Sequence, residues 1–390
     1  MSNTLYWLWL QSKIGAGAKT AQILEGFEDV ASFYESTLYS SGFRKARVQK
    51  LLDKDLSESE KILAHAQKQG YTVLTPDDAA YPDAFREMPD YPCVIYVQGS
   101  FDFNRTPMVS IVGARKASYY GLNVATRLAF SLSKGGVTVV SGGALGTDSA
   151  AHKGALYAGG KTVMVLGCGL DAGYLKDNAA LRKAVVQNGA VISEFSPDFE
   201  ATRFSFPMRN RLIAALGLGT VVVQANSSSG SLITADFAKQ YGRDVYGVPG
   251  GIYNTAFQGV NELIRDGANI VIGVEDILSR YEADYPGIID TKKAAAYNIK
   301  DPEEIYGDLP KTKIMAVDEE IELQFDEKKH ITGLAPKTRL VYDSLETGPK
   351  HINEICLLTS LPQHEVMSAL SSLELLDAVE ALEGRAYRQI

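Results

Sequence analysis

The chain of 390 residues carries only three cysteines, Cys93, Cys168 and Cys356, far apart and without a CxxC pair. That scarcity argues against both a disulfide framework and a zinc site. No apolar run is long enough to span a bilayer,. The first residues, MSNTLYWLWLQSKIG, are apolar only from Leu5 to Leu10 and lack a basic leader, so they read as a folded helix in a cytoplasmic protein with no membrane partner,. A dinucleotide fingerprint is missing too: Gly167-Cys168-Gly169 follows an apolar run, but the third glycine of GxGxxG is misplaced,. The run Ala155–Thr162, ALYAGGKT, imitates a P-loop without its first glycine and lies after a helical pattern instead of a strand,. No cofactor is expected. Asp148 and His152 stand four residues apart on one helix face,. With neither a nucleophile nor a metal-ligand cluster beside them, they read as a cap on the helix start and a packed histidine, which argues against an enzyme.

What is present is an ordinary globular composition, 45% apolar and 22% charged, in a length that suits two or three domains,. Residues 1–70 read as short helices, with the GxG turn Ile14–Lys19 as either a DNA-gripping hairpin or a tight turn between packed helices. Tyr71–Asp90 reads as a proline-rich bridge. From Val94 short apolar strands alternate with helical patterns to about residue 280, which predicts a mostly parallel sheet covered on both faces. Residues 281–335 read as a charged linker, and 336–390 as three helices and a β hairpin, a winged helix.

The net charge of −8 would discourage a nucleic-acid partner,. Its distribution reverses that. Residues 105–280 hold 17 Lys and Arg against 12 Asp and Glu, and every other segment is acidic. A polyanion is therefore expected on the central domain alone.

Two strand–turn–helix passages there have the makings of anion sites. Val137–His152 passes through Ser141, Gly142 and Gly143 into a helix, and Met108–Val112 passes through Gly113, Ala114 and Arg115. Glycines admit close backbone approach, and a helix N-terminus offers unpaired amides in a favourable dipole. Ala201–Arg211 interleaves Arg203, Arg209 and Arg211 with Phe204 and Phe206. Guanidinium groups fork onto phosphates and phenyl faces stack on bases, so at least two of the three arginines are expected to face ligand. Asn226–Thr234, with Ser229, Gly230 and Thr234, is a hydroxyl-rich turn into a helix.

Five successive stretches, VGARKASYYG, SGGALGTDSAAHKGAL, GAVISEF with FPMRNRLIA, SGSLITADFAKQYGRDVYGVPG and GVNELIRDGA, resemble the signatures of the DNA processing protein DprA (Smf) family. The resemblance covers about residues 70–275. It implies an extended Rossmann-like domain that binds single-stranded DNA, with a small helix-hairpin-helix or SAM-like domain in front and a winged helix behind. It also implies a mediator of natural transformation that protects incoming strands and loads the RecA recombinase. The DNA contacts it implies fall on Gly113, Ala114, Arg115, Ser141, Gly142, Gly143, Arg203, Phe206, Arg209, Arg211, Ser229, Gly230 and Thr234. A homodimer is implied through the helix bearing Val260, Leu263 and Ile264, residues that could equally be core. The chain departs from the family pattern at Ala114, Gln224 and Ser228. The winged helix is acidic, and its recognition helix, QHEVMSALSSL, has no Lys or Arg, so it is expected to bind protein or its own chain. The rival reading is a phosphoribohydrolase-like nucleotide enzyme, suggested by Pro249-Gly250-Gly251 but lacking the following glutamate.

Overall fold

The computed structural model describes residues 3–37, 45–173, 178–297, 336–345, 348–374, 379–382 and 386–389. The chain divides into two compact units, Met1–Val317 and Asp318–Ile390. The first is built on a nine-stranded sheet of β1 (Thr72–Leu74), β2 (Ile95–Gly99), β3 (Met108–Val112), β4 (Thr138–Ser141), β5 (Thr162–Val165), β6 (Gly189–Ser193), β7 (Gly219–Val222), β8 (Asp244–Gly247) and β9 (Asn269–Ile270), in the order β1-β2-β6-β5-β4-β3-β7-β8-β9. β3 to β9 run parallel, while β2 joins β6, and β1 joins β2, antiparallel. Every residue of β3 to β7 is buried, as a parallel sheet covered on both faces requires. The parallel part starts in the middle at β3, winds outward through β4, β5 and β6, then returns to lay β7 on the other side of β3. Such a reversal opens a crevice at the carboxyl ends of β3 and β7.

In front of the sheet lie α1 (Thr4–Ile14), α2 (Thr20–Ile23), α3 (Val30–Glu35), α4 (Lys45–Leu52) and α5 (Ser57–Lys68). α1 buries Trp7, Leu8, Trp9 and Leu10 in succession, so it is held on several sides at once. Trp9 Nε1 donates to Asp53 O at 2.7 Å and Trp7 Nε1 to Asp77 Oδ2 at 2.9 Å. The turn after α1 takes positive φ at Gly15 and Gly17. Gly17 packs on Met208 and Arg211 and donates its amide to Glu194 Oε1 at 3.2 Å. The turn is therefore a packing device against the sheet domain, and the DNA-gripping alternative falls away. The passage read as a bridge is ordered as well: it contributes β1 and α6 (Asp83–Arg86), because Tyr81, Phe85 and Met88 are buried in the core.

Two helical layers cover the sheet. One holds α7 (Tyr119–Lys134) and α8 (Thr147–Tyr157). α9 (Ala179–Gln187) packs with the N-terminal helices, and α10 (Ser205–Leu216), α11 (Gly230–Gln240) and α12 (Gln258–Arg265) share the opposite core. α13 (Glu275–Leu278) and α14 (Thr291–Ala295) return to the first layer. The linker expected from residue 281 starts later: Tyr281, Ile289 and Ala294 are buried, and Asp290 N donates to Gly135 O at 3.0 Å. The rest of that expected linker, residues 298–335, lies outside the described residues. α7 and α8 touch where Gly154 faces the Thr126 carbonyl oxygen, with no room for a methyl group.

The second unit forms the expected winged helix. Helices Pro336–Asp343, Ile352–Thr359 and Gln363–Glu374 pack on a three-stranded antiparallel sheet of β10 (Lys350–His351), β12 (Ala386–Gln389) and β11 (Val379–Leu382), in that order. Val341, Ile355, Val366, Leu370, Leu373 and Tyr387 make its core.

Gly154→Val drives side-chain carbon into the Thr126 backbone, so the α7–α8 pair must separate. Overpacking of this kind costs about 1–3 kcal/mol or more, which exceeds any gain in helix propensity. The expected outcome is a lower urea midpoint with an unchanged m-value.

Candidate nucleic-acid interface

The two glycine turns sit side by side, since β3 and β4 are paired neighbours. Thr147, the first residue of α8, donates both its amide (3.2 Å) and its hydroxyl (3.1 Å) to Ala114 O, which stitches one turn to the other. They are not equivalent. Ser141, Gly142 and Gly143 are buried. The Ser141 hydroxyl donates to Ile111 O at 2.6 Å. The Ala144 amide donates to Asp148 Oδ2 at 3.3 Å. The chain's own carboxylate thus occupies the anion position of the second turn, and burial pushes that carboxyl up. Expectation is corrected here: the second turn is a buried support, with the Ser141 hydroxyl and the Gly142 and Gly143 carbonyls each bonded by the chain's own groups.

The first turn is open. Gly113 and Ala114 are half-buried, Arg115 and Lys116 exposed. The Ala114 amide donates to Gln224 O at 2.8 Å, and Gln224 Oε1 accepts from the Ser118 amide (3.0 Å) and hydroxyl (2.9 Å). Gln224 lies immediately beyond β7, so it locks the two sides of the crevice together from beneath. Among the described residues, the Gly113 and Arg115 amides meet no acceptor. The Arg115 guanidinium lies over the Phe206 ring at 4.8 Å, and Phe206 in turn covers Gly167.

The Arg/Phe segment separates into inner and outer groups. Arg203 is exposed and stacks on the exposed Phe204 at 4.7 Å. Arg209 is buried, its Nη1 donating to Gly142 O at 2.5 Å and to Val165 O, so it ties the ends of β4 and β5. Arg211 is only 1% exposed and grips both oxygens of Glu194, at 2.6 and 2.5 Å, with Asp90 3.5 Å from its Nε. The expectation that two of the three arginines face ligand is overturned for a physical reason. Arg209 and Arg211 leave α10 in different directions, but each ends on a buried acceptor, the carbonyls closing β4 and β5 for one and the Glu194 carboxylate for the other. Only Arg203 stands outside.

Beyond β7, Ser229 caps α11, its hydroxyl accepting from the Ser231 amide at 3.4 Å, and Thr234 is buried one turn on. Gly230 is exposed, with open space about it. In the rival motif, the Gly250 amide and carbonyl are both held by Asn261, each at 3.1 Å, so that turn is closed. Val260 is fully buried and Leu263 nearly so, with Ile264 packed beside them. α12 therefore turns this face inward, correcting the reading of it as a dimer surface. Lys116, Tyr119 and Tyr120 are exposed beside the first turn and were not singled out from the sequence; Lys116 directly follows the turn, and the two tyrosines open α7.

Taken together, a mostly parallel sheet covered on both faces, with a winged helix in the same chain, defines a Rossmann-like α/β protein of the winged-helix-bearing kind. Residues 72–282 match the family model of DNA recombination-mediator protein A, and residues 327–385 that of the DprA winged helix domain. The chain belongs to the DNA processing protein A (DprA/Smf) family. DNA processing protein DprA of Streptococcus pneumoniae is 38% identical over 221 residues, 56% of this chain and 78% of that protein. Protein Smf of Synechocystis is 28% identical over 398 aligned positions, 100% of this chain and 99% of the relative. The S. pneumoniae DprA crystal structure superposes with a TM-score of 0.63 at 32% identity, covering 72% of this chain and 98% of that one. The Helicobacter pylori protein, described as having a unique single-stranded DNA binding mode, gives 0.50 at 33% identity, covering 55% and 97%.

Two outcomes follow for the buried groups. Arg211→Ala leaves Glu194 charged and unpaired, which costs about 3–5 kcal/mol, read as a lowered urea midpoint. His152 is buried at the inner end of the same cluster. Thr162 Oγ1 donates to Val139 O, so it accepts from His152 Nδ1, leaving Nε2 unprotonated and without a partner. Burial, with the Arg209 charge nearby, pushes the imidazole down to about 3. Below an unfolded value of about 6.5 the unfolded chain binds a proton here that the native one refuses, so stability falls on acidification by about 1.4 kcal/mol per pH unit. His152→Asn should remove that slope between pH 6 and 4 in urea titrations, leaving the titration of Asp148 common to both proteins.

Proposed function

We propose that this chain is a single-stranded DNA-binding mediator that acts by positioning a strand and not by catalysis. The observation that carries the reading is the open β3 turn at the sheet's switch point, where unpartnered amides, Arg115 and Lys116 lie together. Arg203 and Phe204 stand one loop away, while the neighbouring β4 turn is closed by the protein's own groups. Backbone amides and guanidinium groups recognise phosphate without sequence information. Exposed aromatic rings offer stacking surfaces for unpaired bases. Family membership and the strand binding described for the H. pylori protein support it.

In this reading the DNA contacts are Gly113, Arg115, Lys116, Arg203, Phe204 and Gly230. Arg209, Arg211, Gln224 and Asp148 hold that surface in shape. The protein serves natural transformation in the cytoplasm, protecting incoming strands and passing them to the RecA recombinase. A homodimer through the sheet domain would use the open edge at β9, where Ile270 and Ile272 are exposed, because an edge strand has an unpaired side. The winged helix offers few cations to a duplex in this reading, since Lys337, Arg339 and Arg388 are each paired with a carboxylate of their own unit.

The test is a salt titration of binding to a labelled single strand and its duplex. The wild type should prefer the single strand. Arg115→Ala and Arg203→Ala should each weaken binding and flatten the log–log salt slope by about 0.7, one phosphate contact on a single strand. Unchanged affinity and slope in both variants would falsify the assignment.

A further inference from the structure

A depression two strands from the open turn lies between the loops that follow β7 and β8, lined by Asn226, Ser227, Ser228, Thr255, Ala256 and Gln258. Adjacent strands lie about 4.8 Å apart, so the β8 loop is about 10 Å from the β3 turn along the same carboxyl edge. A strand held at Arg115 reaches it within its next nucleotides.

The lining contains no Lys or Arg. Its nearest charge is negative: Glu262 accepts from the Ser227 hydroxyl at 3.1 Å and from Gln258 Nε2 at 3.1 Å. A phosphate placed there would be repelled and unpaired. Neutral hydrogen-bonding groups remain uncommitted among the described residues. Asn226 Oδ1 accepts from the Ser228 amide (3.1 Å) and hydroxyl (3.2 Å), which leaves the Nδ2 hydrogens. Gln258 keeps its Oε1, and the Thr255 hydroxyl has no protein partner. One donor, one acceptor and one group able to act as either match the edge of an unpaired base.

The same loop carries Ile252, 83% exposed, and Tyr253, 95% exposed, neither packed against the protein. The loop base is fixed: Tyr120 meets Phe257 edge-on at 5.6 Å, and Gly250 is held by Asn261. The tyrosine is therefore an aromatic face on an anchored support. We infer that the β8 loop and the Asn226–Thr255–Gln258 depression form a subsite for one unpaired nucleobase, stacked on Tyr253 and hydrogen-bonded through its edge. This rests on the strand-binding reading and adds to it a base contact, which gives the protein a preference among bases that the phosphate contacts cannot supply.

The experiment compares octamers of dT, dA and dC and an octamer of abasic sites, each across a salt series, for wild type, Tyr253→Ala and Thr255→Val. All of these side chains are exposed, so folding is not at issue. Tyr253→Ala should weaken base-bearing strands about tenfold, as loss of one stacked base does, while leaving the abasic strand and every salt slope unchanged. Thr255→Val should narrow the differences among the three homopolymers. An equal loss on the abasic strand, a slope change of about 0.7, or no effect in either variant overturns the subsite alone. Failure of the wild type to bind any single strand overturns the strand-binding reading and the subsite together.

Discussion

The sheet edge depends on the ion pair between Arg211 and Glu194, two charges taken wholly out of water. Glu194 is the residue after β6, Arg211 lies on α10, and the Gly17 amide and Gln11 side chain from the N-terminal region bond the same glutamate. One buried carboxylate thus joins three parts of the chain that are far apart in sequence. Such a pair gives little net stability against an apolar alternative, but each partner is costly to leave alone. That asymmetry makes the docking specific: the N-terminal hairpin fits only where Glu194 awaits a donor, and α10 is fixed in rotation by Arg211. With α10 fixed, Arg209 must point at the ends of β4 and β5, and Arg203 and Phe204, just before the helix, must stand outside.

The same logic separates the two glycine turns. They look alike as sequence, each a strand, a small-residue turn and a helix. The β4 turn has its anion built in at Asp148, seven residues past the strand, while the equivalent place past β3 is Tyr119 and the turn itself carries Arg115 and Lys116. Closing one turn stabilises the other, because Thr147 of the closed turn donates twice to Ala114 of the open one. Gln224 supports the open turn from its other side, through a side chain that a glutamate could match only as a charged, buried acceptor.

The sheet, its two faces and the winged helix were legible because burial writes them into composition: continuous Val, Ile and Thr runs, glycine punctuation and helical spacing. Side-chain direction was not. Arg203, Arg209 and Arg211 are the same residue type within nine positions, yet one is solvated and two are interior, a distinction set by partners in β4, β5 and β6 that periodicity does not register. Val260 and Leu263 failed in the opposite sense, since an amphipathic helix declares an apolar face without saying whether its own core or another chain will cover it. The segment after residue 280 read as linker because its charges mask Tyr281, Ile289 and Ala294, whose burial depends on close approach at Gly135 and Gly136.

Charge follows from these placements. The chain is acidic overall, and four cations of its basic central segment are held by the chain's own acceptors: Arg209 and Arg211 on buried ones, Arg243 on Glu87 and Arg280 on Asp244 nearer the surface. Net charge therefore says little about the edge; around the open β3 turn the exposed cations are Arg115 and Lys116, with Arg203 one loop away. Under the proposed strand binding, the three cations near the turn would contribute only one increment each to the salt dependence. In that proposal the remaining affinity comes from unpartnered amides and from aromatic faces. That is why the exposed rings at Phe204, Tyr119 and Tyr253, which would be idle on a phosphate-only surface, belong to the same physical account as the glycine turn.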